Sequence, residues 1–117
     1  MNRKEKNELK ERLGQFMDFS NGRFKDEEVE RLASIVDKRN EYDGATRTRH
    51  NSYKSFDSED TYHVEETETY TFRSDDSGIH IDRDFDRHWD DGQHDTEHNT
   101  IRSARGILNS IGKVIRR

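Results

Sequence analysis

The chain has 117 residues, of which 26% are hydrophobic and 40% are Asp, Glu, Lys or Arg, against roughly 45–50% apolar and about 25% charged residues in an ordinary globular domain. The expectation is one small domain with a thin core, marginal alone and helped by a partner or by homo-oligomerisation. Cysteine is absent, which excludes a disulfide framework and thiolate metal sites and suits a reducing, cytoplasmic setting. No apolar run has the length of a membrane span or a signal-peptide core.

The formal net charge of -5 is strongly segregated. Residues 1–40 carry a net charge of +1 and residues 41–58 are balanced. Residues 59–98 hold fourteen acidic and three basic side chains, together with five of the six histidines. Residues 99–117 hold five basic side chains and no acid. A distribution of this kind points to recognition driven by charge.

Leu9, Leu13, Phe16 and Met17 recur at helical spacing, which predicts an amphipathic helix over residues 3–18, broken at Ser20-Asn21-Gly22. A second helix is expected over 25–40, with Asp26, Glu27 and Glu28 at its positive end, Lys38 and Arg39 at its negative end, and Val29, Leu32, Ala33 and Val36 on its apolar face. Together residues 1–40 read as a helical hairpin. The second helix is acidic where a DNA-reading helix needs Arg or Lys, so direct nucleic-acid binding is not expected. Residues 41–58 are polar and aperiodic and read as a linker, in which Thr46-Arg47-Thr48-Arg49-His50 is a solvated stretch.

Residues 59–117 are expected to form an acidic β-hairpin plus a C-terminal helix. Over 61–73 the period changes to two: Tyr62, Val64, Tyr70 and Phe72 alternate with polar residues. After Ser74-Asp75-Asp76-Ser77-Gly78, the residues Ile79, Ile81, Phe85 and Trp89 alternate with His80, Asp82, Asp84, Asp86 and His88. The predicted register pairs Phe72 with Ile79, Tyr70 with Ile81, Glu68 with Arg83 and Tyr62 with Trp89. It also sets Glu65 opposite Asp86 and His63 opposite His88. A final basic amphipathic helix is predicted over 100–116, capped by Asn99 or Thr100, with Ile101, Ala104, Ile107, Leu108, Ile111, Val114 and Ile115 on its apolar stripe. Gly106 and Gly112 should each weaken that helix by about 1 kcal/mol relative to Ala. The fold class is therefore α+β.

The chemistry centres on the acidic strand. Asp82, Asp84 and Asp86 would lie in line on one sheet face, about 6.8 Å apart, and Glu65 would widen the line into a patch. Asp is disfavoured in strands and like charges side by side are destabilising, so such a row points to a positive partner. The favoured partner is a protein with a basic surface, whose groove would otherwise hold nucleic acid. The protein would then be a non-catalytic inhibitor or adaptor. Arg102, Arg105, Lys113 and Arg116 form a second candidate surface, through which residues 100–117 could lie on a membrane or in a protein groove. Against this stands internal packing of the same helix over the aromatic hairpin face.

A divalent-metal reading rests on His63, His80, His88, His94 and His98 among the carboxylates. It is the weaker one, because ligands in a line on one strand converge poorly; His94 and His98 on a helical turn would make a better pair. No essential cofactor is expected. No glycine-rich phosphate loop, nucleophile elbow or HExxH motif occurs, so an enzyme is not expected.

Overall fold

A computed structural model describes residues 1–20, 22–57 and 59–115. The fold is α+β. Helices α1 (Arg3–Leu13), α2 (Asp26–Asp37) and the single turn α3 (Arg39–Tyr42) precede strands β1 (Thr46–Phe56), β2 (Thr61–Asp75), β3 (Gly78–Trp89) and β4 (His94–Ile101). Helix α4 (Ala104–Ser110) and a 3₁₀ turn (Ile111–Lys113) follow. The strands form one antiparallel meander in the order β1-β2-β3-β4.

Helix α1 stops at Gly14, earlier than the periodicity predicts. The chain then turns so that the Phe16 carbonyl accepts a hydrogen bond from Ile79 N at 2.9 Å, and Asp18 forms a parallel bridge with Ser103. Met17 is thereby buried without belonging to the helix. Helix α2 begins back beside the start of α1: its Asp26 meets Lys6 at 3.3 Å and the Met1 ammonium at 3.4 Å. In α2 the first turn carries the expected acids, and the Glu28 carboxylate accepts from Lys25 N at 2.8 Å.

The β2–β3 hairpin forms where period two predicts it, but with a register shifted by two residues. Phe72 pairs with Ile81, Tyr70 with Arg83, Glu68 with Phe85 and Val64 with Trp89. The cause is a tighter turn. Asp75 pairs with Gly78, and Gly78 adopts φ +110°, a region costly for any residue with a Cβ. A Cβ at Gly78 would also lie 2.6 Å from the Phe16 carbonyl oxygen. A shift of two preserves side-chain parity, so each residue stays on its predicted face.

Two predicted segments are corrected. Residues 46–56 of the supposed linker form β1, paired with β2 from Thr46–Thr71 to Phe56–Thr61. Residues 94–101 form β4, so His94 and His98 lie on a strand and the last helix does not begin at residue 100. Its N-cap is Ser103, whose Oγ accepts from Gly106 N at 3.0 Å, in place of Asn99 or Thr100. Its α-helical part ends at Ser110 and a 3₁₀ turn carries the chain to Lys113, short of the predicted 116; Arg116 itself lies outside the described residues.

Helices α1, α2 and α4 cover one face of one end of the sheet. The core joins Leu13, Phe24, Val29, Leu32 and Val36 to Tyr70, Phe72, Ile79 and Ile81 of the sheet and to Ala104, Ile107, Leu108, Ile111 and Val114 of the tail. The apolar stripe of the tail is thus buried inside the fold. Beyond Tyr70 and Ile81 the sheet projects without a helical cover. The molecule measures 61 × 28 × 25 Å, with a radius of gyration of 18.1 Å, against about 13 Å for a compact domain of this length.

Candidate functional site

Alternation gives the projecting sheet two chemically distinct faces. On the face that continues the core, Phe85 and Trp89 are half-buried, not fully enclosed as a complete helical cover would make them. Guanidinium groups replace the cover. Arg83 lies 5.1 Å and Arg87 4.9 Å from the Phe85 ring centre, and Arg87 lies 5.6 Å from that of Trp89. Arg83 Nε donates to Glu68 at 2.7 Å and Arg87 Nη2 to Glu66 at 3.1 Å. Val64 is fully buried between its cross-strand neighbours Tyr53 and Trp89.

The opposite face carries the predicted acidic row. Asp82, Asp84 and Asp86 alternate on β3, an interior strand with β2 on one side and β4 on the other. Asp84 is exposed, while Asp82 and Asp86 are partly covered. Each carboxylate has a partner on β4: Thr100 Oγ1 donates to Asp82 at 3.2 Å, His98 Nδ1 lies 2.7 Å from Asp84, and His94 Nε2 bonds Asp86. On the β2 side stand Thr71, Thr69 and Thr67, opposite Asp82, Asp84 and Asp86 respectively. Thr67 occupies the place predicted for Glu65. Glu65 shares the face but pairs with His88, and its carboxylate meets His63 Nε2 at 3.2 Å.

The electrostatics follow from these bonds. A hydrogen bond from His94, then one from His88, holds the Asp86 carboxyl below the usual carboxylate range. The Asp84 carboxylate, by hydrogen bond and by charge, raises the His98 imidazole above its ordinary value. The row is therefore positioned by hydrogen bonds from Thr100, His98, His94 and His88.

All six histidines fall on this face. His50 pairs with Thr67, His63 with Lys54, His80 with Arg73, His88 with both Glu65 and His94, and His98 with Asp84. Of the predicted metal candidates, only His88 and His94 are brought together, and they share Asp86. His63 stays with Glu65 and Ser52, and His98 with Asp84. His80 is buried, with Nε2 3.8 Å from Asp82 and Nδ1 unpartnered. His50, absent from the predicted set, joins the face because β1 exists.

The predicted basic surface is not assembled beside this row. Arg102 Nη1 donates to Ser77 Oγ at 3.0 Å, and Lys113 Nζ to the Tyr70 hydroxyl at 3.4 Å. Arg105 bonds Glu28 and lies 4.4 Å from the Phe24 ring centre. Arg116 lies outside the described residues. No helix among the described residues is long and apolar enough to cross a membrane. The chain matches no protein-family model, and no curated protein or solved structure was found similar to it.

Proposed function

We propose that this is a non-catalytic binding protein that presents the Asp82–Asp84–Asp86 row to a basic surface on a partner protein, competing there with nucleic acid. The observation that carries this reading is the position of the row. Three carboxylates sit on an interior strand, on the face of the sheet extension that no helix covers. Each is oriented by a β4 side chain, so little side-chain entropy remains to be lost on binding. Glu65 on β2 adds a fourth carboxylate to the same face. The alternative in which residues 100–117 bind a membrane or groove has less support, since Ile107, Leu108, Ile111 and Val114 are spent on the core.

The test is the triple substitution D82N/D84N/D86N, with parent and variant both immobilised and exposed to a cell extract at low and high salt. Proteins captured by the parent at low salt should associate with the variant about tenfold or more weakly, and with less dependence on salt. Added DNA or RNA should displace them from the parent. Equal capture by the variant, or indifference to nucleic acid, refutes the reading.

A further inference from the structure

We infer that Asp86, His88 and His94 form a binding site for a divalent transition-metal ion of the zinc type. Their ligand atoms all lie within 4.8 Å of one another. In tetrahedral zinc sites with bonds of about 2.1 Å, ligand atoms stand about 3.4 Å apart, and His88 Nε2 is already 3.1 Å from Asp86 Oδ2. His94 Nε2 bonds the other oxygen of the same carboxylate. The two imidazoles stack, with ring centres 4.0 Å apart and planes 13° from parallel. Turning the two stacked rings so that both Nε2 lone pairs converge is the rearrangement that an ion would require.

The objection that ligands on a single strand cannot converge is met by β4. His88 and His94 are cross-strand partners on adjacent strands, and Asp86 stands one alternation before His88 on the same face. Two imidazoles and one carboxylate select zinc, nickel or copper over magnesium and calcium, which prefer all-oxygen sets. Three protein ligands leave a coordination position for water or for a group on a partner. His98–Asp84 and His63–Glu65 on the same face each supply only a pair. The site does not depend on the proposed partner, and its ion would tie β3 to β4 across the turn at Gly92.

The experiment is calorimetric titration of the full chain with zinc chloride near pH 7.5, alongside H88Q, H94Q and a control double variant H63Q/H98Q. All four altered histidines are exposed, and circular dichroism checks that each variant folds as the parent does. The parent should bind one zinc ion and melt at a higher temperature with zinc present. H88Q and H94Q should each lose about tenfold or more in affinity, since even outer-shell changes cost that much, and should lose the rise in melting temperature. H63Q/H98Q should match the parent. No binding by the parent at millimolar zinc, parent-like affinity in H88Q and H94Q, or an equal loss in H63Q/H98Q overturns the inference. Partner capture by the unaltered parent, with and without a chelator, reports on the acidic row separately from the metal.

Discussion

Phe72 and Phe85 lie on the same sheet face but on opposite sides of the boundary where the helices end, and replacing each with Ala measures that boundary. Phe72 has no exposed surface, and its ring meets Tyr42 edge-on, with centres 5.7 Å apart. Phe72→Ala leaves a cavity among packed neighbours and should cost about 3–5 kcal/mol. Phe85 is half-buried and flanked by Arg83 and Arg87. Its loss removes two cation–π contacts of about 0.5–1 kcal/mol each, along with partial burial and no enclosed cavity. Phe85→Ala should therefore cost roughly 2–3 kcal/mol, less than the Phe72 value. Urea unfolding with linear extrapolation gives both numbers, and the slope should match the parent if the unfolded states are alike. An equal, large loss at the two positions would mean that the outer face is covered in solution, as by a second copy. The division of the molecule into a packed end and an open end would then be wrong.

Two further outcomes follow from individual contacts. Gly106→Ala should destabilise the protein although Ala is the better helix former, because the new Cβ would lie 2.5 Å from Ile101 Cγ2 and 2.9 Å from Ser103 Oγ; thermal melts should show a loss of about 1–2 kcal/mol, whereas Gly112→Ala, which meets nothing within 4 Å, should be neutral or gain up to about 1 kcal/mol. His98, raised by Asp84, should titrate above the ordinary histidine value in an NMR pH series and fall back toward it in Asp84→Asn. The stabilisation from that pair is complete below the unfolded-state value and disappears as pH rises through the folded one, so an unmoved His98 titration in the variant would contradict the contact.

The parts of the fold legible in the sequence are those with one buried face. Val29, Leu32 and Val36 mark α2, and the alternation from Tyr70 to Ile81 marks the hairpin, because burial imposes the period. The faces of β2 and β3 were legible to the side chain even though the register was not, since the turn is tighter than Ser74–Gly78 suggested and slipped the pairing by an even number. Strands β1 and β4 left no such trace. Both are edge strands largely exposed along their length, so no apolar residues alternate. β1 is held instead by the ladder to β2 and by hydroxyl pairs, Thr46 with Thr71 at 2.9 Å and Thr48 with Thr69 at 3.0 Å. The candidate site was half-legible for the same reason. The Asp row is a property of β3 alone, whereas the approach of His94 to His88 needs β4, which local periodicity could not supply.

The confinement of every histidine to one face has a consequence for the molecule as an electrical object. Histidine is the side chain that ordinarily changes charge between pH 5 and 8. The face that carries Glu65, Asp82, Asp84 and Asp86 holds five exposed imidazoles and the buried His80. The opposite face has Arg83 and Arg87 locked to Glu68 and Glu66 and no histidine. Acidification that charges His98, whose value Asp84 raises, therefore adds positive charge to the histidine-bearing side of a thin sheet. The polarity across the sheet thus depends on pH, and with it the attraction of that side to a charged surface.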